Sequence, residues 1–301
     1  MSKIALVTGA GGFLGSHLVE FLISKNITVY NLGNSKAKNC NHIYLKSISD
    51  KEEIKRIFST TKLDYLFHLA GTSNLSLDSS SMELVNNKFI EYLLDGITAS
   101  GLEKSIKVAV IGSASEYGQV SFDNLPIAET LIPKPMNLYG ITKLDQTKKA
   151  LAWQKPNNHL VVIRPFNIIG KGMPSSLALG SFSEQINKKL DGDYLQTGNL
   201  DTERDFIDVY DVVNLMWRLI NNINSYGEVI NICSGKPIAM IDVVNNMLKV
   251  SGKDIKLNID QSRGSKNDIK IHYGDNSKLL KLVGEYNFIA WQKTINSMIL
   301  H

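Results

Sequence analysis

Only two cysteines, Cys40 and Cys233, occur in the 301 residues, far apart in the chain. Two thiols cannot build a disulfide framework or a zinc site of the usual ligand spacing. Reduced thiols in a cytoplasmic protein are the expectation, and no metal is expected. No apolar run approaches the roughly 18 residues a membrane helix needs, so no membrane partner is expected. The start, MSKIALVTGAGG, lacks the charged, apolar and small-residue regions of a signal peptide. Long basic runs are missing too. The formal net charge is +4, and the pairs Lys36/Lys38 and Lys148/Lys149 are short, which argues against nucleic acid as a partner. A balance this small still suits an anionic small molecule. Internal repeats and low-complexity segments are absent.

What is present is a well-supplied core. With 43% hydrophobic residues, the chain can bury one large α/β core, or a core and a smaller lobe. KIALVT (3–8) is a short apolar run that stops at glycine, the mark of a buried parallel strand. Leu14, Leu18, Phe21 and Leu22 then recur at helical spacing. Strands are expected at 27–32, 42–45, 65–71, 107–113 and 159–167, and helices at 51–58, 82–101 and 138–153. This alternation predicts an α/β fold, a doubly wound parallel sheet (Rossmann) with a smaller C-terminal α/β substrate lobe. Residues 1–170 are expected to form the dinucleotide-binding part and 171–301 the substrate lobe. Segment 204–235 is expected to return partly to the main sheet. A Gly/Pro/Ser-rich loop, GKGMPSSLALGS, precedes a helix near 181–190.

In such sheets ligands bind outside the carboxyl ends of the strands. There TGAGGFLG sets Gly9, Gly12 and Gly15 three residues apart, after a strand and opening a helix. The first glycine permits a tight turn, the second lets a pyrophosphate approach the backbone, and the third lets helix and strand pack closely. Without a ligand the same pattern is a plain βα turn. An acid at the end of strand 2 would accept the ribose hydroxyls of NAD. Gly33 holds that place here, followed by Asn34, Ser35 and Lys36. A donor-rich loop without an acid suits a phosphate, so NADP is expected, with NAD the alternative. YGITK sets Tyr139 and Lys143 on one helix face. An ammonium beside a phenol lowers its pKa from about 10 and equips it for proton transfer.

TGAGGFLG, HLAG, GSASEYG, YGITK, RPFN and RDFIDVYDVV, in this order, resemble the extended short-chain dehydrogenase/reductases. These are NAD(P)-dependent enzymes that modify nucleotide-linked sugars. The loop after strand 5 and the RDFIDVYDVV segment are similar to those of GDP-4-keto-6-deoxy-mannose reductases. The resemblance implies Ser113, Tyr139 and Lys143 as the catalytic triad, with Asn87 supporting the lysine and Asn86 an adjacent rival. It implies Phe13, Leu14, Leu69, Ala70 and Gly71 beside the coenzyme. It implies Ser115, Asn167, Gln185, Arg204 and Arg263 toward a nucleotide-diphosphate sugar, and a homodimer. The family's 4,6-dehydratases carry an aspartate and a glutamate where Ala114 and Ser115 stand, so elimination loses its acid and base. Glu116 falls one position later and is expected to be structural, because one step along an extended segment reverses the side chain. What remains is NADPH-dependent reduction at C4 of a 4-keto-6-deoxy nucleotide sugar. An NAD-dependent 4-epimerase and a non-catalytic NADP-binding regulator are the alternatives.

Overall fold

The computed structural model describes residues 2–72, 78–260 and 269–299. The first half carries β1 (Ile4–Thr8), α1 (Phe13–Ser24), β2 (Thr28–Gly33), β3 (Asn41–Tyr44), α2 (Lys51–Thr60) and β4 (Tyr65–His68). Next come α3 (Ser79–Glu83), α4 (Phe89–Ala99), β5 (Lys107–Ile111), α5 (Leu138–Trp153) and β6 (His159–Pro165). The second half holds β7 (Asn167–Ile169), α6 (Ala178–Lys188), β8 (Tyr194–Thr197), β9 (Glu203–Arg204), β10 (Phe206–Asp208), α7 (Val209–Ile220) and β11 (Val229–Ile232). It closes with β12 (Ile238–Ala239), α8 (Met240–Ser251), β13 (Lys256–Ile259), β14 (Ile271–His272), α9 (Ser277–Val283) and α10 (Trp291–Ile299).

Seven strands form one parallel sheet in the order β11-β6-β5-β4-β1-β2-β3. The central strands are mostly apolar because both faces are covered, with Thr8, His68 and Arg164 the buried polar exceptions toward their carboxyl ends. On one face α1 and α7 bury Leu18, Leu22, Val212, Leu215 and Leu219. On the other, α2, α4 and α5 bury Ile54, Phe58, Leu93, Ile97 and Ala150. Each of these side chains except Ala150 contributes about 1.5–3 kcal/mol relative to exposure. A third cluster packs α6, α8 and α10 around Phe182, Ile186, Val244, Met247 and Ile295. Strand order reverses at β1, which has β2 on one side and β4 on the other. The crevice above that point is where a dinucleotide fits such a sheet.

The expected helix over 82–101 is not continuous. A π turn, Leu84–Lys88, separates α3 from α4. The Asn86 side chain sits in this wide turn. It accepts from Thr72 N (2.7 Å) and donates to Thr72 O (2.9 Å) and Thr142 Oγ1 (3.0 Å). RDFIDVYDVV also divides, into β9, β10 and the start of α7. Asp208 causes the switch, since its carboxylate accepts from Tyr210 N (2.7 Å) and caps the helix. No described helix is long and apolar enough to cross a membrane.

Candidate active site

The glycine turn forms the floor of the first cleft. Gly9 has φ +74°, and a Cβ there would lie 2.8 Å from Ala70 N. A Cβ on Gly15 would overlap the Gly9 carbonyl oxygen, so α1 approaches β1 as only glycine allows. Gly12 starts α1 with no side-chain cap, and the first turn holds no acid. Its leading N–H groups and the positive end of the helix dipole are thus available to an anion. This donor set fits the pyrophosphate of a dinucleotide.

A cavity of about 430 Å³ lies beyond this cleft, and the cleft itself opens into one of about 610 Å³. Gly9, Gly12, Gly33, Asn34, Ser35, Lys36 and Ala70 line the larger cavity, together with Lys46 and Ser47. Asn31 shapes its rim by donating to Ser35 O (2.7 Å). Leu69 belongs to the core beside α1 and donates its N–H to Thr8 O (3.2 Å). Leu14 likewise packs into that core, whereas Phe13 reaches the smaller cavity.

Ser113 follows β5. Its hydroxyl oxygen accepts from Ser115 N (3.1 Å), and its N–H donates to Glu116 Oε1 (2.8 Å). The loop is a 3₁₀ turn, Ala114–Glu116, closed as a capping box. Glu116 is therefore structural for a different reason than strand alternation. It is fully buried and paired with Arg164 (2.7 Å). Tyr139 lies in the first turn of α5, which Asn137 caps by accepting from Gly140 N (2.8 Å). Burial raises the Tyr139 phenol above its ordinary value, with its hydrogen-bond partner Ser113 opposing and Glu116 adding. That is the reverse of the expected direction. Lys143 instead directs its ammonium to Ile111 O and to Gln146 Oε1 (2.9 Å). Burial lowers the Lys143 value to about 8, against the opposing charge of Glu116. A Cβ on Gly71 would stand 3.7 Å from Lys143 Nζ.

Between the two asparagines, Asn86 makes the bonds to Thr72 and Thr142. Asn87 is buried with Oδ1 unpartnered among the described residues. The Lys143 amine bonds neither asparagine among the described residues; its partners are Ile111 O and Gln146 Oε1.

The smaller cavity brings together Ser113, Ser115, Asn137, Asn167, Arg204 and His272 over a floor that includes Phe166 and Leu179. Asn167 Nδ2 donates to Asp205 O (3.0 Å), and Arg204 Nη1 to Glu203 O (2.8 Å). Gln185 lies elsewhere: its amide donates to Gln196 O (3.2 Å) and accepts from Gln196 N (3.0 Å), holding α6 to β8. Arg263 lies outside the described residues. Sequence reasoning missed His272, whose buried Nε2 has no partner among the described residues. Burial and the Arg204 charge hold its pKa near about 4, so it is neutral. Lys46 and Asn137 were missed as well, having no motif to mark them. Among the described residues no three His, Cys, Asp or Glu side chains are grouped to hold a metal.

Residues 5–233 match the NAD dependent epimerase/dehydratase family. The chain belongs to that family. It is similar to the GDP-6-deoxy-D-mannose reductase of Pseudomonas aeruginosa, 28% identical over 99% of this chain and 97% of the relative. It is 27% identical to the GDP-6-deoxy-D-talose 4-dehydrogenase of Aggregatibacter actinomycetemcomitans, over 97% and 96%. Among solved structures, RMD from Pseudomonas aeruginosa complexed with NADPH superposes with a TM-score of 0.84 at 25% identity, covering 99% and 98%. UDP-glucose 4-epimerase from Thermotoga maritima shares the fold, with a TM-score of 0.87 at 23% identity over 99% and 97%. The family member described here is thus an NAD(P)-dependent enzyme of the nucleotide-sugar oxidoreductase and epimerase class.

Proposed function

We propose that this enzyme uses NADPH to reduce the C4 carbonyl of a 4-keto-6-deoxy nucleotide sugar, a GDP-linked sugar being favoured. The observation that carries the reading is the coenzyme cleft. Among the described residues its lining includes Lys36, Lys46, Asn34 and Ser35 around Gly33, and no carboxylate. Cations and donors favour a 2′-phosphate, and an acid would repel it. A coenzyme that is consumed, rather than retained between half-reactions, suits a reductase. Two relatives named for GDP-6-deoxy sugars span nearly the whole chain, which supports the nucleotide.

When bound, the reduced coenzyme supplies hydride to C4. Tyr139 then has one task, to give its proton to the carbonyl oxygen as charge develops there. A phenol held above its ordinary value is protonated at neutral pH, the form that reduction needs. Ser113 accepts through its oxygen from Ser115 N and partners Tyr139, and its hydroxyl proton is assigned to the same carbonyl when substrate is bound. Lys143, with a value near about 8, keeps an ammonium close by at neutral pH. Ala114 and Ser115 bring no carboxylate to the loop, so water is not eliminated. Asn167 and Arg204 are assigned to the diphosphate. Pairing of two copies through α4 and α5 belongs to the same proposal.

The test is a panel of GDP-, dTDP-, UDP- and CDP-linked 4-keto-6-deoxy sugars followed by NADPH absorbance. Stoichiometric loss of NADPH with the GDP sugar is expected. Purified protein that retains NAD and interconverts C4 epimers with no net consumption would overturn the reading.

A further inference from the structure

One acid, Glu116, sits in the loop that carries Ser113, among small residues. Its side chain is fully buried. A carboxylate removed from water is unfavourable unless its lone pairs are filled. Here four donors fill them. Arg164, on β6, sends Nε (2.8 Å) and Nη2 (2.7 Å) to Oε2. The Ser113 N–H (2.8 Å) and the Thr147 hydroxyl (3.1 Å) take Oε1. Gly112 makes the room, since a Cβ there would stand 2.5 Å from Oε1. Arg164 is held in turn, its guanidinium lying 4.8 Å over the Tyr117 ring. One oxygen is fixed by the sheet, and the other holds the catalytic loop and α5.

We propose that Glu116 is a positioning residue of the active site: clamped by Arg164, it fixes the Ser113 backbone and ties that loop to the helix carrying Tyr139 and Lys143. The proposal rests on the catalytic reading of those three residues given above. Thr147 lies one turn beyond Lys143 on α5, so the clamp sets the distance between the hydroxyl of the loop and the two groups on the helix. A short charge-assisted contact in a dry site has a narrow geometry, which suits this task. The same carboxylate acts on charge. Lys143 is faced by Glu116 from the loop and by His68 from β4, with Arg164 behind Glu116 and Tyr139 one turn earlier on the same helix. His68 is buried and neutral, so Glu116 is the anion that favours the ammonium.

Two variants separate reach from charge. Glu116→Asp keeps the charge and shortens the arm. Amide exchange in a peptide spanning 111–117 is expected to rise about tenfold, with exchange in β1 unchanged. Its kcat, measured with NADPH and a GDP-linked 4-keto-6-deoxy sugar, is expected to fall about tenfold with KM nearly constant. The basic limb of its pH profile stays in place. Glu116→Gln keeps the arm and loses the charge, so that limb is expected to move to lower pH. Thr147→Val leaves the ion pair whole and serves if the Glu116 variants do not fold. It is expected to show the same changes in exchange and kcat at smaller size. Unchanged loop exchange in Glu116→Asp, or in Thr147→Val where only that variant folds, overturns the proposal. So does an unmoved basic limb in a folded Glu116→Gln. A Tyr139→Phe control, compared in parallel, tells the two failures apart. If it keeps its kcat, the catalytic reading fails, and loop exchange still decides the clamp. If it loses kcat while the clamp variants match the wild type, the clamp alone is wrong.

Discussion

In the proposed reduction Tyr139 delivers one proton to a developing alkoxide, and a general acid of this kind contributes about 10²- to 10⁴-fold. Tyr139→Phe keeps the ring and removes the donor. Its kcat is expected to fall within that range, while NADPH affinity, read by fluorescence titration, stays nearly unchanged. An affinity loss as large as the rate loss would make Tyr139 a binding residue instead. Gly33 poses the complementary question for the coenzyme. A Cβ there meets nothing within 4 Å, so a side chain fits without strain. Gly33→Asp sets a carboxylate where a 2′-phosphate is expected. The ratio of kcat/KM for NADPH over NADH should drop at least about tenfold, some 1.4 kcal/mol. A ratio that does not move removes the phosphate argument.

Among the elements, α1 depends most on a missing atom. Gly15 packs onto the Gly9 carbonyl, and a Cβ would overlap it. Gly15→Ala therefore has to push α1 away from β1, at a cost of about 1–3 kcal/mol. A lower Tm and weaker dinucleotide binding are expected together, because the uncapped start of the same helix is the proposed seat of the pyrophosphate. A Gly15→Ala protein with wild-type Tm and affinity would mean that α1 shifts freely. The element order was legible because long apolar strands and amphipathic helices carry their own periodicity. The two-residue strands β9, β12 and β14 have none, and they form only where the second half folds against itself. The π turn was invisible for a related reason. Its cause is Asn86 reaching Thr72 and Thr142, and neither distance is encoded in local spacing. The site divides in the same way. Gly9, Ser113 and Tyr139 sit in motifs, whereas His272 and Lys46 reach the cavities by tertiary folding alone. Gln185 stands in no such motif, and its amide bonds the Gln196 backbone, a contact that local spacing does not encode.

At the scale of the molecule, unfolding gathers buried groups from both halves of the chain. His68 lies beside Lys143 of α5 and His272 in the small sheet, and burial depresses both, to about 3 and about 4. The unfolded chain takes up these protons near 6.5, but the folded one does not until the pH falls to the depressed value. Below 6.5 the unfolded state thus binds more protons, and stability falls with acidification until the folded value is reached. Glu116, Asp205 and Asp211, raised by burial, work in the opposite sense over their own window. A comparison of variants cancels that background. His68→Asn retains a polar group toward Thr8, which His68 Nδ1 now meets at 2.9 Å, and has nothing to protonate. Urea unfolding between pH 6 and 4 should then show a shallower loss of stability than the wild type. The difference should approach one proton, about 1.4 kcal/mol per pH unit. Identical slopes would mean that folded His68 accepts a proton beside Lys143. In that case the ammonium is not a fixed charge in the site, and the electrostatic part of the Glu116 clamp fails with it.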